Sequence, residues 1–314
     1  MTRTLNQVPS DGVPPPSRRL RALPAIGSTL VLVLAAVGYL FLGGRHSLTP
    51  ATPPPAPGCQ AGIGVAAIPL ATDQAGIAAT IAGVAVRHRL PRKAVTIAFA
   101  AALQESELQN LNYGDRDSVG VFQQRPSQGW GTTAELEDPV YATTKFFATL
   151  VRVPGYTKMP VDQAVQDVQH SADGSAYEQW VEMATLLAGY FTGASPGGVS
   201  CWYSAGGKPD LAGALKQLTE TFGPEGTDGV LVRITTNRSA KKTKVAVVHV
   251  QQDGDPLAWT VAGWLVAHAQ QYGISQIRYA GYVWDAGNGS MGWQRVPRSS
   301  RTTSPAPRGS IVAA

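Results

Sequence analysis

Cysteine, histidine and charge are all scarce in this chain of 314 residues. It holds two cysteines and five histidines, and charged residues make up only 15% of it. Two cysteines cannot by themselves supply the ligand set of a metal site. No stretch interleaves aromatic and basic side chains as nucleic-acid-binding segments do, so nucleic acid is not an expected partner. No internal repeat is present, and nothing in the pattern calls for a metal or another cofactor. Glycine (34) and proline (23) are plentiful instead. Together with the low charge they point to linkers alongside folded parts.

The length suits one large domain or two modest ones, and a hydrophobic content of 44% is ordinary for a globular protein. The net charge is +5 with a pI near 9.2. Several of the positive charges sit in the two tails. A mildly basic exterior of this kind suits polyanionic surfaces such as cell-wall polymers or anionic lipid.

Residues 1–22 are polar and end in Arg18-Arg19-Leu20-Arg21, which predicts a disordered tail. Residues 23–43 then run without a charge. About twenty apolar residues at 1.5 Å per residue cross a hydrocarbon core of about 30 Å, which predicts a single transmembrane helix. The basic cluster before it predicts a cytoplasmic N-terminus, with the bulk of the chain outside the membrane. A cleaved signal peptide is the alternative; the run is longer than a typical signal core, and no clean Ala-x-Ala site follows it. Residues 44–58 are rich in proline and read as a stiff spacer that lifts the next domain off the membrane.

The remainder divides into a mainly helical domain over 59–205, a connector over 206–223, a small α+β domain over 224–297 and a disordered tail over 298–314. In the helical domain Asp73 is the expected N-cap of a helix over 74–88, and Pro91 opens a second helix reaching about Glu107. Residues 110–131 read as loop and short strands. Asp138-Pro139 caps a third helix, and further helices are expected near 160–169 and 174–193. In the small domain, strands at 230–235 and 244–251, a helix over 257–272 and strands at 275–279 and 282–285 make a ββαββ pattern. The expected class is therefore α+β.

Cys59 and Cys201 bracket the helical domain. An even count outside the membrane favours one disulfide between them. Two separate thiols, or lipid attachment at Cys59, are the alternatives.

Residues 104–131 carry the most chemical information. Glu105 ends an otherwise apolar helix segment, Val95 to Leu103, and about fifteen residues later comes the turn Gly120-Val121-Phe122-Gln123. An acid set against apolar surroundings is expected to have a raised pKa, which glycosidic bond cleavage requires. Glu105-Ser106 followed by Gly-Val-Phe-Gln resembles the lysozyme-like superfamily of lytic transglycosylases, with their Glu-Ser and Gly-Leu-Met-Gln. The stretch from Gly114 to Gln123 is similar to the corresponding stretch of goose-type lysozymes. The resemblance covers residues 74–192. With the following Gln124-Arg125-Pro126-Ser127-Gln128-Gly129-Trp130 included, the chain is similar to a group of membrane-anchored actinobacterial cell-wall proteins.

The resemblance implies that Glu105 is the general acid, that Ser106 orients its carboxylate and that Phe122 and Gln123 line the cleft at the sugar. Lytic transglycosylases also carry an Ala-Tyr-Asn-Ala-Gly motif whose tyrosine contacts the catalytic glutamate. This chain lacks it; Gln169 and Ser171 are the candidate polar replacements, and Tyr177 is a candidate for the tyrosine. Asp115 in the Gly114-Asp115-Arg116-Asp117 loop is the candidate second carboxylate: facing the cleft it would position water for inverting hydrolysis, facing solvent it would leave a single-acid route. By default both aspartates are turn formers. Arg125 is a candidate for a peptide-stem carboxylate, against an ion-paired role, and Trp130 for a sugar platform, against a place in the core.

In the C-terminal part, Trp264 onward, Gly281-Tyr282-Val283-Trp284 and Gly292-Trp293 resemble part of certain wall-peptidase-like modules that bind zinc. His249, Asp253, Asp255 and His268 lie there, but no ligand set follows from their spacing, and a substrate-binding or packing role is expected. Together these features predict a membrane-anchored enzyme that cuts peptidoglycan glycan strands, either a lytic transglycosylase or a muramidase. The alternative is an inactive lysozyme-like binder or scaffold of the cell envelope.

Overall fold

The computed structural model describes residues 56–171, 174–204, 209–224, 232–238, 244–250, 255–296 and 310–314. The expected N-terminal tail and transmembrane helix, and nearly all of the proline-rich spacer, lie outside these residues. Among the described residues no helix is long and apolar enough to cross a membrane.

Mixed α and β structure with two antiparallel sheets is observed. The first sheet joins the two ends of the helical part. Strands β1 (Gly58–Ala61), β2 (Ile68–Leu70) and β3 (Val199–Trp202) pair in the order β2-β1-β3. Cys59 lies directly opposite Cys201 in the β1–β3 register, and the two form the expected disulfide. Closing a loop this long stabilises the fold by at most about 4–5 kcal/mol through chain entropy. Replacing both cysteines with alanine is expected to lower the unfolding free energy by about 2–5 kcal/mol. Denaturant titration with and without a thiol reductant measures this: the reductant should have no effect on the variant.

Helices α1 (Thr72–Arg87) and α2 (Arg92–Ser106) form the centre. Both are rich in alanine, and every residue from Ala94 to Leu103 is buried. Small side chains let neighbours approach closely. A Cβ at Gly83 of α1 would stand 2.5 Å from Thr221, so glycine is what admits the helix carrying that residue. The start of α1 differs from expectation. Asp73 lies inside the helix and its carboxylate accepts from the Gln74 N–H. The N-terminal cap is made instead by Gln74, whose side-chain oxygen accepts from the Ala71 N–H at 2.8 Å. Gln74 also donates to the Glu107 carbonyl, tying the start of α1 to the end of α2.

Helices α3 (Thr133–Leu136), α4 (Pro139–Leu150), α5 (Val161–Gln169) and α6 (Val181–Phe191) complete the helical part, with a 3-10 turn over Gly174–Trp180. Asp138 caps α4 as expected, accepting from the Val140 N–H. Helix α2 packs on α5 and α6, while α4 packs on α1.

The expected connector contains a helix, α7 (Leu211–Phe222), capped by Asp210 and packed on α1. Strands β4 (Val232–Arg238) and β5 (Lys244–Val250) precede helix α8 (Asp255–Ala267) and the short α9 (Ala269–Tyr272). Helix α8 is apolar on every side and packs on α1 and β3, as an all-round hydrophobic helix must. Strands β6 (Gln276–Tyr279), β7 (Tyr282–Asp285) and β8 (Gln294–Arg295) follow. Residues 310–313, placed by sequence in a disordered tail, form strand β9 (Ser310–Ala313). It lies between β5 and β6, giving the order β4-β5-β9-β6-β7-β8. The ββαββ pattern is thus present but is completed by a strand from the C-terminus. Ile311 and Ala313 are fully buried there, which a short Ile-Val-Ala run at a chain end gives no reason to expect.

Candidate active site

The site forms where the last turn of α2 meets the turn at 120–123 and the 3-10 turn over Gly174–Trp180. Glu107 and Leu108 adopt left-handed backbone conformations (φ 53° and 61°), so α2 stops abruptly and the chain turns away. Glu105 remains in the last helical turn, half-buried.

The Tyr177 hydroxyl donates to Glu105 Oε1 at 2.6 Å. Tyr177 itself is almost completely buried. The Gln169 amide is a second hydrogen-bonding neighbour of the same carboxylate, and it also donates to the Phe122 carbonyl at 2.8 Å. Burial pushes the Glu105 carboxyl above its ordinary value and outweighs the opposing pull of the Tyr177 and Gln169 hydrogen bonds. Burial and the adjacent carboxylate hold the Tyr177 phenol well above its usual value, so it stays a neutral hydrogen-bond donor. The arrangement sets a carboxyl whose charge is disfavoured by burial beside a hydroxyl that can steady its carboxylate form.

The turn at 120–123 supports this pair. Gly120 has φ 79°, and a Cβ there would stand 2.2 Å from the Leu136 carbonyl oxygen. Only glycine tolerates both conditions. Ser106 Oγ donates to the Val121 carbonyl at 2.7 Å and accepts from the Gln109 N–H. Phe122 stacks on Phe146 with ring centroids 4.5 Å apart.

Several expected roles change accordingly. Ser106 is buried and fastens the turn to the end of α2 instead of orienting Glu105. Phe122 is fully buried and belongs to the core instead of the cleft. The Gln123 amide is engaged within its own loop, accepting from Ser118 and donating to the Tyr113 and Gly120 carbonyls. Trp130 is partly buried against the core instead of offering an open platform. Arg125 is paired with Asp117 at 2.8 Å, and that pair, with two hydrogen bonds from Ser127, holds the Asp117 carboxyl well below its ordinary value. Asp115 faces solvent with its side chain 91% exposed and meets Arg116 at 3.9 Å; it is a loop residue, not a second acid across the cleft. Gln169 and Tyr177 do reach Glu105. Ser171 holds Gln166, its hydroxyl donating to Gln166 Oε1 at 2.7 Å, and is a further hydrogen-bonding neighbour of Tyr177.

Three residues escaped sequence reasoning. Gln104 Oε1 accepts from Trp180 Nε1 at 2.8 Å and from Gln179 Nε2 at 3.2 Å. With the Glu105–Tyr177 bond, these contacts clamp the 3-10 turn onto the end of α2. The available signal was the spacing of Tyr177 and Trp180, since residues three apart share a face of a 3-10 helix. In the C-terminal part, His268 stacks on Trp264 and its Nδ1 lies 2.9 Å from the Trp264 carbonyl. Burial depresses its pKa to about 4, so it is a neutral core histidine.

Replacing Tyr177 with phenylalanine removes a donor that favours ionised Glu105. The carboxyl pKa is expected to rise further, which carbon-13 NMR titration of glutamate-labelled protein measures directly. An unchanged or lowered value would mean that the hydroxyl does not act on the acid.

The chain matches no family model, and no curated protein matches it.

Proposed function

We propose that this protein cleaves peptidoglycan glycan strands outside the cytoplasmic membrane, as a membrane-anchored lytic transglycosylase of the lysozyme-like superfamily. The observation that carries this reading is the 2.6 Å bond from Tyr177 to a half-buried Glu105. It supplies the tyrosine–glutamate contact that the superfamily obtains from a motif absent here. Asp115 in solvent and Asp117 bound to Arg125 favour the single-acid route over two-carboxylate hydrolysis.

In this route protonated Glu105 gives its proton to the glycosidic oxygen as the bond from that oxygen to the muramic C1 breaks. The leaving sugar departs as an alcohol. The Glu105 carboxylate, steadied by Tyr177 and Gln169, then takes the proton of the muramic C6 hydroxyl. That oxygen bonds to C1 and closes a 1,6-anhydro ring, and Glu105 is protonated again. No water is consumed. The disulfide and the charge-free run at 23–43 suit a catalytic part held outside the membrane.

A second reading, a non-catalytic wall binder or scaffold, is favoured by one observation: the Ser106 and Gln123 side chains are taken up by internal hydrogen bonds. Mass spectrometry of purified sacculi incubated with the protein separates the readings. Anhydro-muropeptides are expected. Reducing ends would indicate hydrolysis, and intact sacculi that retain the protein would indicate a binder.

A further inference from the structure

One face of the described chain is apolar, and no charged residue lines the hollow in it. The tip Ile63-Gly64-Val65 projects from the first sheet, with Ile63 73% exposed and Val65 fully so. Met291, 70% exposed, and Trp293 line the same hollow of about 480 Å³ as Ile63 and Val65. Tyr190, near the end of α6, lies beside Gly62 at the base of that tip. Leu186 and Met183 continue outward along the same side of α6 and are also exposed. The described segments that build the face, residues 56–72, 183–204 and 286–294, contain no aspartate, glutamate, lysine or arginine. An exposed apolar surface of this extent marks a docking site.

We infer that this face rests on the lipid surface of the membrane in which the chain is anchored. The inference relies on reading residues 23–43 as the anchor. Three observations favour lipid as the occupant. Residues 44–55 separate the charge-free run from the described chain, and at about 3.6 Å per residue they reach at most about 43 Å, so a bilayer holding that run stays within reach of the described chain. The tip begins only seven residues after residue 56, where the described chain begins. Aromatic residues Trp293 and Tyr282 stand beside exposed Arg295, whose guanidinium lies 5.8 Å from the Tyr282 ring; aromatic rings with a flanking cation suit the headgroup region over anionic lipid. Helix α6 runs from this face to the turn carrying Tyr177, and its 11 residues span about 16 Å. Docking would hold Glu105 at a set height above the bilayer.

The test uses the full chain, with Ile63→Cys or, at a control position, Lys216→Cys on α7, where the lysine side chain is 80% exposed. The native cysteines are disulfide-bonded and do not take the label. Each variant is labelled with bimane and reconstituted into phosphatidylcholine–phosphatidylglycerol vesicles containing shallow nitroxide lipid. Retention in the vesicles after a carbonate wash reports the anchor separately, and sacculus digestion reports the chemistry. The label at 63 is expected to lose about half its emission or more to the nitroxide lipid while the label at 216 loses little. Met291→Cys should behave as Ile63→Cys does, which guards against a distorted tip. Equal quenching at 63, 291 and 216 overturns the inference. So does a label at 63 and 291 that is shielded from aqueous iodide yet unquenched by nitroxide lipid, because protein would then cover the face.

Discussion

Glu105→Gln is expected to slow sacculus cleavage by about 10²–10⁴-fold, the usual contribution of a positioned general acid. Glutamine keeps the shape and still accepts the Tyr177 hydrogen bond, but it has no proton to give the glycosidic oxygen. Binding of the variant to sacculi should be retained. The same substitution should make the fold more stable at neutral pH. The Glu105 carboxyl has a higher pKa in the folded chain than when unfolded, because burial disfavours its charge. Its stabilising contribution is fully present below the ordinary value of 4.5 and is lost as pH rises through the raised value. Above the raised value the wild type carries an ionised, partly desolvated acid that the variant lacks. Denaturant midpoints should converge at low pH and separate in favour of the variant as pH rises. The wild-type rate should fall across the same window as the acid loses its proton. A wild-type rate that rises through that window, or a variant less stable at neutral pH, would remove Glu105 from the role of acid.

Deleting residues 310–314 is expected to unfold the C-terminal sheet. Strand β9 pairs with β5 on one side and β6 on the other. Ala314 adds further bonds, its carbonyl accepting from the Ser275 and Gln276 N–H groups. Without β9 the remaining five strands separate into the β4–β5 pair and the β6-β7-β8 set, and an isolated pair is marginal in water. Truncating a buried Ile311 to alanine alone should cost about 2–5 kcal/mol, and removing the strand should cost more. Hydrogen exchange separates the possibilities: the amides of β5 and β6 should lose protection while those of α2 lose less. Unchanged protection in β5 would show that the tail is dispensable.

The secondary structure was legible where periodicity was strong. The apolar runs of α2 and α8, the Asp138-Pro139 start of α4, and strands β4 to β7 all read from pattern. The Cys59–Cys201 pairing followed from the even count and the expected compartment. Elements were missed where their stabilisation is not local. Helix α7 was read as a connector because its apolar residues are meaningful only against α1. Strand β9 was read as a tail because four residues carry little periodic signal, and their burial depends on strands more than twenty residues away. The cap of α1 went to Gln74 and not Asp73 because the Gln74 amide also reaches the Glu107 carbonyl on another helix.

The site divides along the same line. Glu105 at the end of an apolar helix, with the Gly120 turn at its spacing, was set by sequence alone, because both lie in one short stretch whose local geometry brings them together. Which polar groups face the acid was decided by tertiary structure. Ser106 is its immediate neighbour, yet successive helical residues point about 100° apart, and Ser106 is buried against Val121. Asp115 lies ten residues away and turns to solvent. Tyr177 lies 72 residues away and makes the bond. Sequence determined that an acid is poised at this helix end. The packing of α5 and the 3-10 turn on α2 decided that its partner is a buried tyrosine and not a second carboxylate, because only that packing excludes water from one side of Glu105 while leaving it a donor to lean on.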